Sequence, residues 1–137
     1  MNETVPKVTA ENVTKRFGTG ENDEGLAVKD VNFTVGTNEF ITIVGRSGCG
    51  KSTMLNIVAG LLSASSGQVT IDGRTVQGPG QDRSMVFQNA SLFPWLTAIE
   101  NIEFGPQNSG MPKQERRKLA QELIELVRLE GFEKKYP

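Results

Sequence analysis

Residues 40–62 read FITIVGRSGCGKSTMLNIVAGLL. The first five are mostly apolar and β-branched, which suits an interior strand covered on both faces, the usual state of a parallel sheet. From Lys51 the period changes. Leu55, Val58 and Leu62 recur at helical spacing, with Met54 and Leu61 widening the stripe. Between strand and helix lies GRSGCGKS, which sets Gly45, four residues, then Gly50, Lys51 and Ser52. Glycines let the main chain turn so tightly that its N–H groups, from Gly45 through Arg46, Ser47, Gly48, Cys49 and Gly50 to Thr53, point into one small cradle. The positive end of the following helix adds to it. Lys51 brings a point charge to the β- and γ-phosphates, and the Ser52 hydroxyl can coordinate magnesium. The spacing predicts that a nucleoside triphosphate binds here with Mg2+.

Composition narrows the alternatives. A chain of 137 residues holds one compact domain, or an incomplete one, with a real core. Fifteen basic side chains against 16 acidic ones give no electrostatic reason to expect nucleic acid as a partner. There is no histidine, so a histidine metal site, a Ser-His triad and a Cys-His dyad are excluded. The single cysteine, Cys49, cannot form an intramolecular disulfide. MNETVPKVTA at the start has neither the basic head nor the apolar body of a signal peptide. Apolar runs fall well short of the roughly 20 residues that cross a bilayer. A reducing cytosol is the expected compartment, and any work at a membrane would pass through a partner. Cys49 itself reads either as a small side chain that fits its loop or as a thiol whose ionisation nearby amides and Lys51 would favour.

Elsewhere, KVTAENVTKRF (7–17) and LAVKDVNFTV (26–35) alternate as half-buried strands do, around the polar loop GTGENDEG. QVTIDGRTV (68–76) predicts a hairpin with Asp72-Gly73 as its two-residue turn. SMVF (84–87) reads as a further short strand running into Gln88. In PKQERRKLAQELIELVRL, Leu119, Leu123, Ile124 and Val127 mark the buried face of the longest helix. KQERRK within it reads as a solvated face.

A phosphate-binding loop alone fits a kinase, a GTPase or a transport ATPase. GRSGCGKSTMLNIVAGLLSASSGQVTIDG together with DRSMVFQNASLFPWLTAIENIEFG resembles the ATP-binding subunit of ABC transporters, in particular importers of nitrate, sulfonate or taurine-like anions. The resemblance runs from about residue 7 to the last residue. It implies an α/β fold, a P-loop NTPase core with an antiparallel β subdomain, as an incomplete ABC ATPase domain. On this reading residues 1–110 hold the β subdomain and part of the core, and 111–137 begin a helical subdomain. The resemblance further implies that Phe17 stacks on adenine and that Gln88 approaches magnesium and the attacking water. The alternatives are a core aromatic at a strand end and a surface amide. It implies a head-to-tail dimer with a second ATP-binding subunit, a transmembrane permease subunit docked on the region Gln88 to Phe104, and a peripheral place on the cytoplasmic face of the cell membrane. Leu92, Phe93, Trp95 and Leu96 around Pro94 would either receive a short helix of that permease or close the core beneath the long helix.

The sequence departs from the family pattern in three respects. It has no LSGGQ-type motif, no apolar strand ending in Asp-Glu and no switch histidine. VTID (69–72) imitates the aspartate-bearing strand, but Asp-Gly is a turn signal. The expectation is Mg-ATP binding, with Lys51 and Gln88 as the catalytic residues present, and negligible turnover by this chain alone. The strand FITIV would also become an exposed edge. The rival readings are a small phosphate-loop kinase, which would need KQERRK as an acceptor lid, and a non-catalytic nucleotide-binding fragment.

Overall fold

The structure, a computed structural model, describes residues 5–18, 25–89 and 91–137. They form two compact units, one ending at Met85 and one running from Val86 to Pro137. The expected division at residues 110 and 111 falls inside the second unit.

The first unit contains β1 (Val8–Arg16), β2 (Leu26–Val35), α1 (Lys51–Ala59), β3 (Ser66–Ile71) and β4 (Arg74–Thr75). The strands pair antiparallel in the order β2-β1-β3-β4. Alternation in the sequence located β1 and β2, although most of the loop between them lies outside the described residues. Asp72 and Gly73 adopt φ of 49° and 74°, the left-handed pair that a two-residue hairpin turn needs. One face of the sheet presents Ala10, Val13, Val28 and Val69, which form a core with Met54 and Ile57 of α1.

That contact takes up part of the expected helical stripe: Met54 is buried in it and Val58 and Leu62 pack against it, but Leu55 and Leu61 do not. Leu55 and Leu61 are 47% and 48% exposed, whereas Met54 and Ile57 are 3% exposed. Helical spacing identifies a periodic stripe, but the sheet's position selects which side of α1 is covered. Ile57→Ala should therefore cost about 2–4 kcal/mol through lost burial and a cavity. Leu55→Ala should stay within about 0.5 kcal/mol of the parent, as exposed substitutions do. Urea denaturation of the two variants compares them directly.

FITIV and SMVF are corrected more deeply, because neither joins the sheet. Phe40 and Val44 are 91% and 86% exposed, and Val86 is 95% exposed. A strand exists only where another segment accepts its backbone hydrogen bonds. Among the described residues, none does so for these two runs.

The second unit is built on α2 (Ala98–Asn108) and α3 (Lys113–Leu126). Sequence reading assigned no element to α2. Its start is nevertheless marked by Thr97 and Glu100, three residues apart. The Glu100 carboxylate accepts from the Thr97 hydroxyl at 2.6 Å and from the Thr97 N–H at 2.8 Å. Those two bonds hold its carboxyl below the usual carboxylate range. The next amides, of Ala98 and Ile99, donate to the carbonyls of Lys135 and Glu133. Ile99, Ala120 and Ile124 form the core between the two helices. Of the four residues expected to face inward on α3, Ile124 is buried, whereas Leu123 and Val127 are 39% and 58% exposed. Ala120 lies on the seam, where its small side chain lets α2 approach.

Candidate nucleotide-binding site

Gly50 is the residue before α1, with φ of 92°, and Gly48 has φ of 78°. Both values lie in the left-handed region that favours glycine. Gly50 is required twice over, because a Cβ there would fall 2.2 Å from the Ala27 carbonyl oxygen of β2. A Cβ on Gly45 would meet Cys49 Sγ at 2.6 Å. The chain thus closes a tight turn from Gly45 to Gly50 and passes directly into the helix, whose first bond runs from Met54 N–H to Gly50 O at 2.8 Å.

Lys51 Nζ folds back over this turn. It donates to Gly45 O at 2.8 Å and to Arg46 O at 2.7 Å, and lies 3.7 Å from Cys49 Sγ. An ammonium has three donors. Two meet carbonyls and the third faces sulfur, a weak acceptor, so an anionic oxygen could take that third position while the loop stays closed. Arg46, Ser47, Gly48, Cys49 and Ser52 are exposed, and Thr53 is half-buried.

The start of α1 differs from that of α2. It has no side-chain cap and no acidic residue in its first turn. The positive end of its dipole is thus available to an external anion. Beside the loop, a cavity of about 590 Å³ lies between β2 and residues 41–44, with Val31, Phe33, Ile43 and Met54 among its walls. Its apolar walls suit hydrocarbon. The exposed face from Gly45 to Thr53 is the part of this region suited to phosphate.

Phe17 stands just beyond β1. Its ring is 49% exposed, Lys15 Nζ lies 5.4 Å from its centroid, and its N–H donates to Gly25 O at 2.8 Å. At that exposure Phe17 is not a core residue. Gln88 belongs to the second unit and is exposed in an irregular segment. Among the described residues, no group of three or more His, Cys, Asp or Glu is placed to hold a metal ion.

In the second unit, Phe93 packs against Trp95 and Phe104 at centroid distances of 5.4 and 4.4 Å. Asn101, which sequence reading passed over, fixes this turn. Its Nδ2 donates to the carbonyls of Phe93, Leu96 and Thr97, and its Oδ1 accepts from Phe93 N–H. Leu92 and Trp95 remain 52% and 70% exposed. The two alternatives for SLFPWLT are thus divided between residues: Phe93 packs inward, while Leu92 and Trp95 face out. Glu103 was also passed over. It is 7% exposed and pairs with Arg117 at 3.0 Å and Arg116 at 3.8 Å. KQERRK is accordingly not a wholly solvated face, because two of its cations turn to this buried carboxylate. The longer contact is an ion pair without a hydrogen bond, and Arg116 Nε has no hydrogen-bond acceptor among the described residues.

A glycine-rich turn closing onto an uncapped helix, with a lysine folded over it, is the arrangement used by phosphate-loop domains. Comparison with known proteins gives the family. The family described as ABC transporter matches residues 28–137, and the chain belongs to it. It is 47% identical over 131 residues to an uncharacterized ABC transporter ATP-binding protein of Methanocaldococcus jannaschii, covering 96% of this chain and 49% of that protein. It is 43% identical to a nitrate import ATP-binding protein of Synechocystis, covering 89% of this chain and 46% of the relative. For a taurine import ATP-binding protein of Roseobacter denitrificans the identity is 40%, with 90% and 46% covered. The chain therefore spans about half the length of the curated relatives it matches. Among solved structures, it is similar to a dimeric ATP-binding cassette in a post-hydrolysis state bound to ADP and Pi. The TM-score is 0.80 at 37% identity, covering 95% of this chain and 61% of that one. The α/β ATP-binding-cassette fold expected from the sequence is the fold found.

Proposed function

We propose that this chain is the nucleotide-binding portion of an ABC importer's ATP-binding subunit, and that it holds Mg-ATP at Gly45–Thr53. The observation that carries the reading is the uncapped start of α1 behind a turn that Lys51 Nζ braces through Gly45 O and Arg46 O. Backbone N–H groups and Lys51 supply positive potential to a polyphosphate, and Ser52 supplies a hydroxyl oxygen to its metal. Phe17 offers its exposed ring to the base. For Gln88, which belongs to the second unit, the family resemblance alone supports a role at the metal and the attacking water. When bound, Mg-ATP supplies the phosphoanhydride whose cleavage drives transport in such a subunit.

The intact subunit pairs head-to-tail with a second copy and docks a permease on the region Gln88 to Phe104. The structure of a dimeric cassette and the exposed Leu92 and Trp95 support this arrangement. The place of work is the cytoplasmic face of the membrane, a reading that rests on the importer relatives. Nitrate and taurine, named in the relatives, suggest a small anion as the transported solute. This chain alone binds nucleotide without turning it over, since it carries no LSGGQ-type motif, no Asp-Glu strand and no switch histidine. The kinase reading loses its lid, because Arg116 and Arg117 are engaged by Glu103.

Calorimetric titration of the 137-residue chain with Mg-ATP and with Mg-tripolyphosphate tests the proposal. Saturable one-to-one binding of both is expected, without phosphate release. Failure to bind either ligand would remove the basis for the site.

A further inference from the structure

The carbonyl end of α1 is held from outside the helix. There is no basic residue in its last turn, and Gly60 closes it with φ of 76°. A cation arrives instead from a later segment. Arg83 Nε donates to Ala59 O at 3.2 Å, and Nη2 donates to Gly78 O. Its Nη1 pairs with Asp82 at 2.9 Å, and the Arg83 side chain is only 16% exposed. The turn at Gly78 lies directly against the helix end, since a Cβ on Gly60 would stand 2.1 Å from Gly78 O. One planar guanidinium thus spans the last turn of α1, the 78–80 turn and Asp82, a geometry that a single ammonium cannot reproduce.

We infer that Arg83 is a positioning residue for the nucleotide loop: by fixing the carbonyl end of α1, it sets the direction in which the amino end presents Gly50 to Thr53. This inference rests on the reading of the loop as a nucleotide site. At 1.5 Å per residue α1 is about 13 Å long, so a swing of about 10° about its middle moves each end by about 1 Å. Displacement on that scale is enough to misplace groups that must converge on one ligand. Core contacts of Met54 and Ile57 hold the middle of the helix. A rod packed at its middle can still pivot, and Arg83 opposes the pivot at the far end.

The test uses Arg83→Met, which keeps the apolar stem, and Arg83→Lys, which keeps the charge but not the fork. Affinities for Mg-ATP and Mg-tripolyphosphate are measured well below the unfolding temperature, with circular dichroism confirming the fold. The Met variant should bind both ligands roughly 3- to 10-fold more weakly, as expected for coupling through a packed element, with the Lys variant in between. Wild-type affinity in both variants, whatever happens to their melting temperatures, overturns the inference and reduces Arg83 to a local staple. If the Met variant does not fold, the Lys variant decides: weaker binding supports positioning, and unchanged binding overturns it. Wild-type protein that binds neither ligand overturns the nucleotide site itself and this inference with it. Normal wild-type binding with unaffected variants overturns this inference alone.

Discussion

Lys51→Ala is expected to weaken Mg-ATP binding by at least about ten-fold while leaving the fold intact. Hydrogen bonds to charged groups contribute about 1.5–3 kcal/mol. Each 1.4 kcal/mol is a factor of ten in affinity, so losing the ammonium puts the effect at about 10- to 100-fold. The cost to folding is small for a local reason. Among the described residues, Lys51 Nζ donates to Gly45 O, Arg46 O and Cys49 Sγ, all within the exposed loop. Water can solvate those carbonyls when the side chain is removed, and alanine is at least as good a helix former at this position. Titration calorimetry and thermal unfolding on the same preparation separate the two effects. Undiminished affinity would mean that the loop does not hold polyphosphate through this lysine.

Gly50→Ala should be strongly destabilising to the first unit. The left-handed backbone costs an L-residue about 1–2 kcal/mol. The new Cβ would also lie 2.2 Å from Ala27 O and 3.1 Å from Val28 Cγ2. Backbone cannot yield as a flexible side chain does, so an overpacking cost of about 1–3 kcal/mol adds to the first. The total is about 2–5 kcal/mol, a large part of the stability of a small domain. Gly48→Ala is the matched control. It has a positive φ of 78° but no atom within 4 Å of the added carbon, so about 1–2 kcal/mol is expected. Equal denaturation midpoints for the two variants would contradict the close approach of α1 to β2. Loss of ATP binding should accompany Gly50→Ala even at temperatures where the variant remains folded, because the amides before Ser52 are displaced.

How much of this was legible beforehand depended on whether a feature is local. The Asp72-Gly73 turn, the alternation of β1 and β2, and the glycine-to-lysine spacing before α1 are set by residues adjacent in the chain. Thr97 and Glu100 carried the same kind of local signal for the start of α2, but the apolar crowd of LFPWL drew the reading away from it. Glu103 could not be foreseen as buried. A glutamate midway along AIENIEFG looks like solvent-facing polarity until Arg116 and Arg117 are brought beside it from α3.

Periodicity gave each helix a stripe but not its orientation. Leu55 and Val127 fit their stripes and yet lie outside the contact, while Ile57 and Ala120 lie within it. FITIV is the clearest case. Its composition specifies a segment that prefers burial between neighbours, and it finds none among the described residues. By itself, then, the sequence determined the glycine-rich turn, the helix that follows it, the hairpin and the family, because φ angles, caps and motif spacing act over a few residues. Tertiary structure alone decided which runs became strands, which side of each helix was covered and where buried charges met, because strand pairing and burial are properties of two segments and never of one.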